Sequence, residues 1–156
     1  MLIDSFVQRK WIHKVIEDIQ SSGIAEITVV IKNEASHPQQ GRLKSYWRNR
    51  KYLLYALYQK FDERKVKVEP DAFEPTDMRP LLSDCPVVPV TPEMKSYSDW
   101  FPEETLKQIR EFDLDVALCF GFRILKGDVL KIARHSIWSF HHGDNLVNRG
   151  GPAGFW

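Results

Sequence analysis

Asp115-Val116-Ala117-Leu118-Cys119-Phe120-Gly121-Phe122-Arg123-Ile124-Leu125, followed by Ile137-Trp138-Ser139-Phe140, is the stretch that decides the fold. The first run reads as a strand from Asp115 to Phe120, ended by Gly121. A short helix from Asp128 to Ala133 separates it from the second run, which reads as a last strand. Upstream, Pro102 opens a helix through Phe112, with Glu103 and Glu104 at its positive end and Leu106, Ile109 and Phe112 inward. Before that, Cys85 to Val90 is extended, and its prolines make it an edge or poorly paired strand. Pro70 to Pro80 is a loop. Arg42 to about Arg64 has a helical apolar stripe of Tyr46, Trp47, Leu53, Leu54, Leu57, Tyr58 and Phe61, with a basic side read as a solvated face ahead of a contact for phosphate or anionic lipid. Ile27 to Ile31 is a β-branched strand, and Lys10 to Gln20 is a helix with Trp11, Ile12, Val15, Ile16 and Ile19 on one face. Gly23 stops that helix. Leu2 and Ile3 end a first, short strand. Strands alternating with helices predict an α/β fold with a mainly parallel sheet. Ligands then belong at the carboxyl ends of the strands, in the loops Gly121 to Leu125 and His141 onward.

Composition bounds the rest. The chain has 156 residues, 43% hydrophobic and 28% charged, with 22 basic against 21 acidic side chains. Neither disorder nor a general nucleic-acid surface is expected from a net charge of +1. No apolar run reaches the ~20 residues of a membrane helix, so no membrane partner is expected. Cys85 and Cys119 form no CxxC pair, and together with the missing secretory signal they point to a reducing cytoplasm.

After the first strand the chain reads Asp4-Ser5-Phe6-Val7-Gln8, without the glycines of a dinucleotide or P-loop site. No G-x-S-x-G elbow is present. The chemistry-bearing residues gather at the end: Ser139, His141, His142, Asp144, Asn145, Asn148 and Arg149, in a glycine-containing loop leaving a strand. His141, His142 and Asp144 are conceivable zinc or iron ligands for a hydrolase. Adjacent histidines on an extended segment point to opposite faces, however, so they converge only across a kink, and no metal is assigned. His13, His37 and His135 are read as surface or core residues, and Trp11 and Trp138 as core.

Three motifs in register carry a family resemblance. Gly121-Phe122-Arg123-Ile124-Leu125, then Ser139-Phe140-His141, then Arg149-Gly150 resemble the core of the folate-dependent formyltransferases. Glycinamide ribonucleotide formyltransferase and methionyl-tRNA formyltransferase share that fold. The form Ser139-Phe140-His141-His142-Gly143-Asp144-Asn145 is similar to a divergent branch. The resemblance is closest from Cys119 to Gly151 and topological before that. It implies a Rossmann-like three-layer formyltransferase fold. Residues 1–156 would then be a fragment of the formyl transferase N-terminal domain, short of the C-terminal part of the catalytic domain, with a further C-terminal domain possible in the full protein.

The resemblance also implies roles. His141 falls on the family's catalytic histidine, which binds the developing oxyanion and assists proton movement. Ser139 stands where the family has asparagine, a shorter and rotatable donor in place of a fixed amide. Phe122, Arg123, Ile124 and Leu125 fall on the turn that holds the pterin of 10-formyltetrahydrofolate, the formyl donor, largely through backbone groups. Asp144, Asn145 and Arg149 are assigned to the substrate side. The family's catalytic aspartate lies on a later segment, after Trp156. The implied reaction is formyl transfer to a primary amine, an amino sugar or an aminoacyl-tRNA, within one-carbon metabolism. The alternative is a non-catalytic formyltransferase-like binding module, for which Ser139 and the absent aspartate speak.

Overall fold

Parallel sheets are ordinarily covered on both faces. A strand of only two residues is the most fully covered here. In a computed structural model that describes residues 1–35, 53–65 and 69–140, β1 (Leu2–Ile3) lies at the centre of a five-stranded sheet. It pairs in parallel with β3 (Val30–Asn33), Leu2 opposite Ile31, and with β8 (Ala117–Cys119), Leu2 opposite Cys119. Outside β3 runs β5 (Val87–Val90), and outside β8 runs β10 (Ile137–Ser139), both parallel. The order is β10-β8-β1-β3-β5.

Alternation along these strands splits the core into two layers. Leu2, Ile31, Val88, Val90 and Ala117 face one way. They meet Leu106 and Ile109 of α3 (Glu103–Arg110) and Val129 of a short 3-10 helix (Gly127–Lys131). Ile3 and Val30 face the other way, onto Ile12 and Ile16 of α1 (Lys10–Ser22) and onto Met78 and Leu82. Ile12 and Ile16 are one turn apart, so both enter the sheet; each Ile side chain so buried contributes about 1.5–3 kcal/mol. α1 ends at Gly23, whose φ of 65° is the left-handed value a glycine takes without strain. The α/β class and mainly parallel sheet expected from the sequence are therefore present.

Two small sheets flank the main one. β2 (Val7–Arg9) pairs antiparallel with β4 (Pro75–Asp77). β6 (Glu93–Lys95) and β7 (Ser98–Trp100) form an antiparallel pair, and β7 runs parallel to β9 (Ile124–Leu125). None of these was expected from the sequence, because strands of two or three residues carry too little alternation to read. β4 lies inside the stretch expected to be a loop.

Other expectations shift. β3 starts at Val30 rather than Ile27, since Val30 donates to Pro86 O and the chain before Pro86 is a turn that offers Ile27 and Thr28 no strand to pair with. The helix after Pro102 ends at Arg110, short of Phe112. The expected Asp128 to Ala133 helix is the 3-10 turn from Gly127. α2 (Leu53–Lys65) accounts for the described part of the long basic helix. Its Leu54, Leu57, Tyr58 and Phe61 are exposed and join neither core layer. Residues 42–52 of that stripe lie outside the described residues. Trp138 is exposed too, its indole N–H donating to His135 O at 3.0 Å, so it is not core. Among the described residues, no helix is long and apolar enough to cross a membrane.

Candidate functional site

The chain runs from β1 outward through β3 to β5, then returns to β8 and outward to β10. The strand order thus reverses between β1 and β8, and the loops leaving these two strands separate there. A cleft of about 1320 Å³ opens at that place. Its floor is the carboxyl ends of three strands: Asp4 and Ser5 after β1, Cys119 and Phe120 at β8, Ser139 and Phe140 at β10. Gly121 lets the first two come together. A Cβ there would stand 2.1 Å from the backbone nitrogen of Asp4 and 2.8 Å from its carboxylate. Only glycine permits that approach.

The cleft straddles the edge of the sheet and has a wall on each face. On the α3 side stand Phe122, Ile124, Leu125 and Leu130, with Tyr97. Phe122 packs on Phe101, ring centroids 5.2 Å apart. Ile124 is exposed toward solvent. On the α1 side stand Trp11, Phe120 and Phe140. Phe120 and Phe140 are stacked at 5.7 Å and 19°, and Trp11 meets Phe140 edge-on at 5.2 Å.

The turn after β8 is held by an ion pair. Asp99 on β7 is 1% exposed and takes the Arg123 guanidinium through Nε at 2.8 Å and through a terminal nitrogen at 2.5 Å. The Arg123 backbone N–H donates to the other carboxylate oxygen at 3.0 Å. The same guanidinium donates to Ser96 O and Ser98 O at 2.8 and 3.0 Å. Four hydrogen bonds thus occupy the fork of Arg123, leaving it little to offer a ligand. The sequence placed Arg123 at the site and missed Asp99. Nothing in spacing links a residue of β7 with one on the turn after β8, 24 positions later.

Ser139 ends β10 opposite Cys119, with its side chain at the open cleft. Burial pushes the Cys119 thiol up from its ordinary value, which keeps it protonated and a poor nucleophile. Asp4 is exposed and accepts from Gln8 Nε2 at 3.0 Å, while the same amide donates to Ser5 O at 2.7 Å. The sequence reading passed over Asp4 and Gln8, noting only that the loop lacked glycine.

The cleft therefore gathers five of the expected site residues: Phe122, Arg123, Ile124, Leu125 and Ser139. The others, His141, Asp144, Asn145 and Arg149, lie outside the described residues, as does His142. Among the described residues no group of three or more His, Cys, Asp or Glu side chains is placed to hold a metal ion. The chain matches no family model, no curated protein and no solved structure.

Proposed function

We propose that the chain carries a Rossmann-like formyltransferase domain that moves a formyl group from 10-formyltetrahydrofolate to a primary amine. The observation that carries this reading is the meeting of the Phe122 to Leu125 turn and Ser139 in one cleft at the strand-order reversal. These are two of the three motifs on which the resemblance rests, and they come from separate parts of the chain.

The residues present fit the donor. The wall of Phe122, Ile124, Leu125 and Leu130 suits a flat heterocycle, which takes apolar contact on its faces and main-chain hydrogen bonds at its edge. Arg123 serves there by position, since its side chain fixes the turn and its charge faces Asp99. The donor supplies an activated formyl carbon. The chain's part is to hold the amine against that carbon, to stabilise negative charge on the formyl oxygen, and to move a proton. The Ser139 hydroxyl can donate toward that oxygen. His141, two residues beyond Ser139 in the sequence, is assigned the proton and the main share of the charge. Loss of one oxyanion donor costs about 10²–10³ in rate, so a serine in the asparagine's position predicts a slow enzyme.

Titration with 5-formyltetrahydrofolate, an unreactive relative of the donor, tests the reading. Binding is expected, and Ile124→Asp should weaken it by about tenfold or more, because the bound heterocycle would cover a charge that is solvated in the free protein. Turnover of 10-formyltetrahydrofolate with an amine panel should then fall by several orders of magnitude in His141→Ala with binding retained. Absence of folate binding would end the proposal. Binding without turnover under every acceptor would favour the non-catalytic module, the reading that Ser139 supports.

A further inference from the structure

The cleft wall on the α3 side includes a hairpin tip. Lys95 pairs with Ser98, so Ser96 and Tyr97 are the whole loop between β6 and β7. Two-residue hairpin loops ordinarily carry glycine, asparagine or aspartate, because they need a positive φ. Here Ser96 takes that conformation, at φ 51°, and a tyrosine stands next to it. Turn chemistry alone favours no tyrosine at such a place. The tip is nonetheless fixed. The Arg123 guanidinium donates to Ser96 O at 2.8 Å and to Ser98 O at 3.0 Å, one carbonyl on each side of residue 97. Buried Asp99 anchors that guanidinium in turn. Ser98 pairs in parallel with Ile124, which sets the tip beside the Phe122 to Leu125 turn.

The side chain so rooted has no partner. Tyr97 is 81% exposed, more than any other large apolar side chain that lines the cleft. Among the described residues its ring meets no other ring and its hydroxyl makes no hydrogen bond. Ile124 and Leu130, on the same wall, are exposed as well. The one charged residue of that wall, Arg123, is turned to Asp99. A ligand part that covers this surface is therefore uncharged and apolar on its faces. A free tyrosine ring offers such a part an offset stack and leaves its own hydroxyl in water.

We infer that Tyr97 is a ligand-binding residue, the outer jaw of a slot whose inner jaw is Ile124 and Leu130, and that the slot takes an uncharged aromatic heterocycle. Tyr97 lies outside the stretch from Cys119 to Gly151 on which the family resemblance is closest. Naming the ring as the pterin rests on the formyl-transfer reading; the slot itself does not. The buried Asp99 then has a task beyond the turn after β8. Closing a side chain on a ligand costs conformational freedom. A root held by Arg123 from both sides confines that cost to the two side-chain torsions of the tyrosine.

The test is fluorine NMR on the full chain labelled with 3-fluorotyrosine, the Tyr97 resonance being the one missing from Tyr97→Phe. The probes are 5-formyltetrahydrofolate, adenosine and riboflavin. A shift of the Tyr97 resonance with at least one of them is expected. For that probe Tyr97→Ala should bind about tenfold more weakly, and Tyr97→Phe, which keeps the ring, within about twofold of the parent. Both variants should unfold in urea at the parent's midpoint, because the ring joins neither core layer, and this separates a lost contact from a lost fold. No shift with any probe, undiminished binding in Tyr97→Ala, or equal weakening in Tyr97→Phe would each overturn the inference. Folate binding that ignores Tyr97→Ala leaves formyl transfer standing and removes the slot. Adenosine or riboflavin binding that depends on Tyr97, with no folate binding, keeps the slot and removes formyl transfer.

Discussion

Arg123→Met removes the guanidinium while keeping an unbranched stem of similar reach. Asp99 would then sit 1% exposed with one remaining donor among those described, the backbone N–H of residue 123. Breaking a buried pair by removing one partner costs about 3–5 kcal/mol, because the other charge is left without compensation. The Arg123 side chain is itself 33% exposed, so water can reach the gap and the lower end of that range, about 3 kcal/mol, is expected. Two main-chain acceptors, Ser96 O and Ser98 O, lose their donor as well and hold the figure from falling further. For a chain of this length, 1 kcal/mol moves the melting midpoint by about 2–4 °C, so the shift should be roughly 6–12 °C. Urea unfolding followed by circular dichroism, with calorimetry beside it, reads both numbers. Adding Asp99→Asn to Arg123→Met should recover part of the loss, since a neutral amide tolerates the site better than an orphaned carboxylate. A loss below about 1 kcal/mol in Arg123→Met, or no recovery in the double variant, would refute the claim that this pair holds the turn.

Other positions give sharp outcomes. Gly121→Ala sets a methyl 2.1 Å from the Asp4 backbone nitrogen, so β8 must part from β1; a loss of about 3 kcal/mol, the upper end of the overpacking range, is expected in the same unfolding assay, and a neutral result would mean the strand ends are not in contact. The Met1 amino group is buried, donates to Val29 O at 2.8 Å, and has its pKa lowered to about 6 from 8.0 by desolvation. Folding thus favours its neutral form. Its destabilising effect is absent above pH 8, grows as pH falls from 8 to 6, and is complete below, at an order of 2–3 kcal/mol; an N-acetylated chain should lose that slope, and an unchanged slope would count against the buried amine. Burial also keeps the Cys119 thiol protonated, so its alkylation by iodoacetamide at neutral pH should run at least about tenfold slower than in the unfolded chain. Equal rates would place it in open solvent.

Elements with a long pattern were legible. The spacing of Ile12, Ile16 and Ile19 gave α1, the β-branched run gave β3 to within a few residues, and the prolines at 86 and 89 pointed to an edge or poorly paired strand, of which β5 is the first. The order of the sheet was not legible, because it depends on which short runs meet across the chain. The small sheets were hidden for the same reason. The apolar stripe of α2 predicts burial, yet Leu54, Leu57, Tyr58 and Phe61 are exposed, since both sheet faces carry other cover. At the site, the Phe122 to Leu125 turn and Ser139 were found through motif resemblance, whereas Asp99, Asp4 and Gln8 act through partners that only the fold brings near.

The central strand has a kinetic consequence. β1 is two residues long, yet one of its partners is β3 and the other is β8, more than a hundred residues later at 117–119. During synthesis, Leu2 and Ile3 are made long before Cys119 and wait for it before both flanks of the sheet can close. Contacts so distant in sequence carry a large loop-closure cost and slow the barrier crossing. A nascent chain that stops short of β8 can pair β1 with β3 alone, and one flank of the central strand stays open until residues 117–119 are made.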